Sequence, residues 1–411
     1  MVDAATLRDA LRLGDVADQE LTAIFGTVFP LARWESNDRV NYFHSEQGHV
    51  LDVVYSRRGQ ILRFEPGPGL TDELVRELRQ QVDAAFAQDA GVEVRRGLLF
   101  GMPPVNGFWR HGDDWQILRA PPQAPRPGFL MGDHPFVLEY RVRSSSAFPV
   151  ARMRRSRRYW ELHLLLSLLL RGRITRETFE PQHHWVILPE PMANGLQTAY
   201  VNEGYLVGEG FVLVADDFSD PSEYPQLAVV PDDEYYARRG VSRDEMDVPA
   251  CLDVLFDRFE AADARTRDQL LRASYWLDAA YRVWHTSKSL SFIATINAVE
   301  VLVPEAEEDR CPECGRDRSP GPTARFHDFV ETYAAAEGAD ERRALYQLRS
   351  AFVHGGALHN LDIPWAWGME PHVLRHHQLH DVALAVSRTA IRTWFLSRPA
   401  TEVPASQEPA G

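Results

Sequence analysis

Leu345-Tyr346-Gln347-Leu348-Arg349-Ser350-Ala351-Phe352-Val353-His354-Gly355-Gly356 has the period of an amphipathic helix. At 100° per residue, Ala344, Leu345, Leu348, Ala351 and Phe352 form one apolar stripe, which should face a helical core. Arg349, Ser350 and His354 fall on the other side, together with Tyr346 and Val353. Gly355 then stands at the C′ position, where glycine commonly ends a helix. A guanidinium and an imidazole are therefore expected near one helix end, on a face that the core does not use. Ser350 and His354 are one turn apart and can touch. Arg349 and His354 are about 140° apart on an ideal helix, so they share one substrate only if the last turn distorts or a second chain contributes.

The same 3.6-residue period extends outward from this stretch. From Pro249 onward it predicts helices at 249–261, 265–285, 287–303, 323–336, 340–354 and 373–397. The segment from Glu305 to Pro322 interrupts them with charges, Gly, Pro and a Cys pair, and reads as an exposed loop. Upstream of residue 245 the pattern is strand-rich. Residues 49–56 and 60–64 read as a hairpin around Arg57, Arg58 and Gly59. Thr71 is a candidate N-cap for a helix over 72–88. Residues 136–142 put Phe136, Leu138, Tyr140 and Val142 on one face, as a half-buried strand does. Further strands are expected near 184–189, 198–206 and 210–215. The fold class is α+β: a mixed α/β, strand-rich domain over 1–245, an all-α bundle over 246–398, and a tail over 399–411 whose composition predicts disorder.

Composition narrows the function. The chain has 411 residues, enough for two or three domains, and is 45% hydrophobic and 25% charged, ordinary globular values. A net charge of −15 excludes a protein that holds nucleic acid through its overall field; phosphate contact needs a local basic patch. Three cysteines are too few for a disulfide framework, which suits a reducing cytoplasm. The first residues lack the continuous apolar core of an export signal. Leu162 to Leu170 is the longest apolar stretch; about 20 residues are needed to cross a bilayer, so it is expected to be a buried helix and no membrane is expected as a partner.

Arg349-x4-His354, set in Leu-Tyr-x-x-Arg-Ser-x-x-Val-His-Gly, resembles the R-x4-6-H signature of the HEPN superfamily, in its ApeA-like branch. Asn297-Ala298-Val299-Glu300-Val301-Leu302 resembles the earlier helix of that family. The resemblance covers roughly 250–398. It implies a metal-independent endoribonuclease that requires no cofactor, takes RNA as substrate and acts as a homodimer in which two signatures meet in one site. The setting it implies is phage defence or toxin-like translation shutdown. The chemistry suits the residues. RNA carries its own nucleophile in the 2′-hydroxyl, an imidazole can move the proton, and a guanidinium can hold the phosphate oxygens. The expected products are a 2′,3′-cyclic phosphate and a 5′-hydroxyl. Active members often carry Asn, Asp or His after the arginine, where this chain has Ser350. The alternative is a catalytically silent HEPN module for dimerisation or ligand binding, with the N-terminal region as the working part.

Three further features carry chemistry. Glu300 lies in an apolar helical run, and a buried carboxylate needs a partner, which Arg349, Arg343 or His354 could supply; it is otherwise a solvent-facing residue at a helix end. Cys311-Pro312-Glu313-Cys314 is the kind of knuckle that supplies half a structural zinc site, with His372, His376 and His380 or a second chain as sources of the other ligands; otherwise it is a reduced, metal-free loop. Arg141, Arg143, Arg152, Arg154, Arg155, Arg157 and Arg158 form the one strongly basic stretch, followed by Tyr159 and Trp160. Arginine beside aromatics suits RNA, with Arg154, Arg155, Arg157 and Arg158 as the contact residues; the alternative is a solvated loop paired with the acidic HEPN-like domain.

Overall fold

A computed structural model describes residues 7, 9–12, 18–36, 38–56, 60–86, 91–121, 134–176, 183–187, 198–202, 213–237, 245–284, 286–305, 319–334, 341–363 and 371–398. The first unit runs through α1 (Asp18–Val28), β1 (Leu31–Ser36), β2 (Arg39–His44), β3 (Gly48–Tyr55), β4 (Ile61–Pro66) and α2 (Asp72–Phe86). The strands form an antiparallel sheet in sequence order, with β3 and β4 paired as the hairpin reading expects. Leu74 N–H donates to Thr71 Oγ1 at 3.3 Å, the N-cap bond expected at the start of α2. Phe25, Tyr42, Leu51, Val53, Leu78 and Val82 close a separate core between this sheet and its helices.

The chain continues through β5 (Val92–Gly101), β6 (Phe108–His111), β7 (Trp115–Arg119), β8 (His134–Arg143), α3 (Phe148–Leu169), β9 (Ile174–Arg176), β10 (His183–Ile187), β11 (Thr198–Asn202), β12 (Val214–Ala215), β13 (Val229–Val230), α4 (Asp232–Ala237) and β14 (Val248–Pro249). A second antiparallel sheet has the order β12-β5-β8-β7-β6, with β9 also on β5. On β8, Phe136, Leu138, Tyr140 and Val142 all point into the main core, as their alternation requires. The opposite face is buried too. Val137 packs with Leu98, Phe100 and Leu118, and Glu139, 1% exposed, is met by Arg96, Gln116 and Ser219. Burying that carboxylate is tolerable because every partner donates a hydrogen bond to it.

Among the described residues six α-helices follow: α5 (Leu252–Ala261), α6 (Ala264–Val283), α7 (Lys288–Glu300), α8 (Pro322–Tyr333), α9 (Arg342–Val353) and α10 (Pro371–Ser397). Asp263 and Ser287 cap α6 and α7 by accepting from Thr266 and Leu290 N–H. These helices do not close a core of their own. One continuous apolar cluster runs from Leu99 and Phe136 of the sheet, through Leu162–Leu170 at the end of α3, to Phe259, Phe292, Phe352 and Trp394. The change of period near residue 245 therefore marks a change of secondary structure, and the core passes through it. The apolar stretch 162–170 is a buried helix end, and no described helix is long and apolar enough to cross a membrane. Residues 399–411 lie outside the described residues.

Candidate functional site

The signature helix is α9. Its apolar stripe packs Leu345 and Phe352 into the core, with Ala344 and Leu348 partly buried against it. Tyr346 departs from the helical-wheel expectation. It is buried, with its ring 5.0 Å from Phe326 and 6.1 Å from His327 of α8, because α8 covers the flank that the wheel left to solvent. Val353 and His354 remain exposed. Gly355, at φ +72°, turns the chain into the left-handed region that disfavours a Cβ. Gly356 N–H donates to Ala351 O at 2.8 Å and Gly355 N–H to Phe352 O at 3.3 Å, the paired closing bonds of a Schellman end.

Arg349 projects from α9 toward the last residue of α7. Its Nη2 donates to Glu300 Oε2 at 2.7 Å, so of the three partners open to Glu300 the fold selects Arg349. The two side chains are 21% and 26% exposed, which leaves the pair at the rim of the core. The guanidinium also lies 5.8 Å from the Tyr346 ring centroid, where the ring face favours a cation. Arg349 Nε is shielded from solvent and has no hydrogen-bond partner, and the same holds for Oδ1 of Asn297, one turn before Glu300. A carboxylate on one edge of a guanidinium fixes its plane and leaves the other edge for an anion.

His354 does not join this pair. It occupies the C-cap of α9, its backbone N–H bonds Ser350 O at 3.0 Å, and no described group hydrogen-bonds its exposed ring. The Ser350 hydroxyl likewise has no hydrogen bond among the described residues, so the two side chains do not pair. Arg349 and His354 stand five residues apart, roughly 7.5 Å along the helix axis and on different sides of it. Within one chain they do not converge.

Directly beneath this helix end His376 and His380, which the sequence offered only as zinc ligands, join His359, which sequence reading missed, in one cluster. His359 and His380 are 0% and 1% exposed, packed around Phe352, Phe292 and Trp284, with His376 against His359 at 5.2 Å. Burial depresses the His359 pKa to about 4 and the His380 pKa to about 3, with the neighbouring imidazoles pushing the same way. Hydrogen bonds fix their neutral forms. Leu361 N–H donates to His359 Nδ1 at 3.2 Å, so its proton is on Nε2. Ser291 donates to Ala280 O, so His380 Nε2–H donates to Ser291 Oγ at 3.0 Å. Asp362 joins the cluster to α7 by accepting from Lys288 and Ser289 N–H at 2.6 and 2.8 Å. Only the i, i+4 recurrence of His376 and His380 could have signalled this cluster in the sequence.

Cys311 and Cys314 lie outside the described residues, as does the side chain of His372. Of the other zinc ligands considered, His380 is committed to Ser291, and His376 Nδ1 accepts from Asn360 N–H at 3.4 Å. Among the described residues no three His, Cys, Asp or Glu side chains are grouped to hold a metal ion.

The basic stretch differs from its loop reading. Residues 148–158 are not a solvated loop but the first half of α3, and Arg154, Arg155, Arg157 and Arg158 are paired inside the chain. Arg154 binds both Glu20 carboxylate oxygens, at 2.8 and 3.1 Å, and also Ser144 O. Arg155 holds Glu93, lowering that carboxyl's pKa against the effect of its burial. Arg157 reaches Glu161 at 2.7 Å. Arg158 bridges Asp114, Glu260 and Glu161 and is only 14% exposed. Arg154, Arg155 and Arg158 thereby staple α3 to α1, to β5 and to α5. An RNA phosphate would have to displace a carboxylate at each of them.

Known protein families, curated proteins and solved structures were compared with the chain, and none matches.

Proposed function

We propose that this chain is a metal-independent endoribonuclease of HEPN type. The observation that carries the proposal is the arrangement at the end of α9: Arg349 oriented by Glu300 and an exposed His354 beyond it, on a face that the core leaves unused. The guanidinium would hold the phosphodiester and stabilise its developing charge. The imidazole would take the 2′-hydroxyl proton or give one to the leaving oxygen.

Because the two groups diverge within one chain, the working form is a symmetric homodimer that sets Arg349 of one copy beside His354 of the other. The surface around the site suits such a partner. Val353 and Leu358 flank the glycine turn and are exposed. Leu361 lies beside Asp362, which caps α7 next to exposed Leu290, and Asn360 meets α10 near exposed Leu374. Exposed apolar side chains of this kind suit an association surface. By family analogy alone, the setting is phage defence or toxin-like translation shutdown.

Two observations favour the second reading, a silent HEPN module. Glu300 already neutralises Arg349, and no described group orients His354, whereas a catalytic imidazole is normally held by a third side chain. RNA cleavage in EDTA separates the two. Cleavage lost in both Arg349→Ala and His354→Ala supports the enzyme. A wild type inert on tRNA, mRNA and rRNA supports the silent module.

A further inference from the structure

Far from α9, the C-terminal half of α10 carries Arg388 and Arg392 one turn apart, both half-buried. Arg388 Nη2 reaches Ser167 O at 2.9 Å and Gly172 O at 3.2 Å, at the end of α3. Arg392 lies 3.5 Å from the ring centroid of Tyr236. Arg171 completes the group, over Tyr235 at 4.5 Å, with a side chain 9% exposed. The Arg388 guanidinium lies 5.4 Å from the ring centroid of Tyr281, so each of the three is set against a tyrosine ring. Among the described residues the carboxylate paired with this group is Asp247, engaged by Arg171 at 2.6 and 2.7 Å.

Among the described residues no carboxylate lies within ion-pair distance of Arg388 or Arg392. The Nε atoms of Arg171 and Arg388 and the Nη1 of Arg392 are shielded from solvent with no acceptor. Such a cluster is costly as it stands. Like charges one turn apart repel, and buried donors without partners lose their hydration. An anion with several oxygens relieves both at once, because a guanidinium offers parallel N–H donors that match tetrahedral oxyanions.

We infer that Arg171, Arg388 and Arg392 form a binding site for a phosphate group. The site stands apart from the ribonuclease reading, since it shares no residue with α9. The phosphate is either that of a small phosphomonoester or a link of a polynucleotide backbone; the chemistry at the site is the same.

The test is thermal unfolding of the full chain in chloride and, at equal ionic strength, with inorganic phosphate, a nucleoside monophosphate or a short RNA. The expected result is a rise in melting temperature with at least one phosphate compound, lost in Arg392→Gln. A rise with phosphate or the monophosphate assigns a small ligand, and a rise with RNA alone assigns a backbone. Arg392→Glu supplies the missing counter-charge. It should melt higher than wild type in chloride and no longer respond to phosphate. No rise with any of the three, or a rise undiminished in Arg392→Gln, overturns the inference.

Discussion

Acidification to pH 5 should loosen the fold from beneath the signature helix. His359 and His380 have pKa values of about 4 and about 3 in the folded chain, against about 6.5 in an unfolded one. The folded state therefore binds their protons less readily than the unfolded state. Their contribution to stability is complete above pH 6.5 and falls as pH drops toward the folded values. At pH 5 each has lost about 2 kcal/mol, so the pair together removes about 4 kcal/mol, a large part of a typical folding free energy of about 5–15 kcal/mol. His163, buried against Ile174 O and Asp278, is depressed by burial and adds in the same direction. Carboxylates with lowered pKa, such as Glu93 and Asp362, lose their contribution only at lower pH, so the window between pH 7 and 5 reports on the imidazoles. Urea unfolding at pH 7.5, 6 and 5 measures the effect, with His380→Phe as control. The aromatic replacement keeps a ring against Trp284 and Phe292 and should roughly halve the pH dependence. A stability that is flat across this range, or a variant that keeps the whole slope, refutes the argument.

Glu300→Gln should change stability by less than about 1 kcal/mol, because the pair with Arg349 is partly exposed, yet it should lower RNA cleavage by freeing the guanidinium plane; parallel urea and cleavage measurements check both halves. Arg154→Ala should cost about 1–3 kcal/mol by leaving the partly buried Glu20 without its partner, with no change in RNA affinity, read from the urea midpoint and an RNA titration. Gly355→Ala should cost about 1 kcal/mol, since a Cβ there meets no atom within 4 Å and only the positive φ opposes it; the melting temperature reports it.

Local order was legible in the sequence. The six helices after residue 249, the Thr71 cap and the Gly355 turn follow from period and capping chemistry, which act within a few residues. What joins distant parts was not. Arg154 and Glu20 lie 134 residues apart, and Arg155 and Arg158 likewise meet Glu93, Asp114 and Glu260, so the neighbourhood of this run of arginines in the chain did not reveal those partners. Tyr346 was placed on the open side because a single-helix wheel contains no α8. The shared core across residue 245 was hidden for the same reason: strands and helices differ in period but bury the same kinds of side chain. At the site, the partnership of Glu300 with Arg349 was among the alternatives the sequence offered, and the helix geometry alone already separated Arg349 from His354.

On the proposed function, Arg349 of one copy and His354 of the other act on one RNA linkage. The most direct measurement of this is RNA cleavage in EDTA by wild type, by Arg349→Ala, by His354→Ala and by an equimolar mixture of the two variants. Wild type should cleave to leave 2′,3′-cyclic phosphate ends, each variant should lose cleavage, and the mixture should partly recover it, because a mixed dimer sets one intact Arg349 against one intact His354. A wild type that leaves RNA uncut, or variants that cut as it does, would contradict the proposed function.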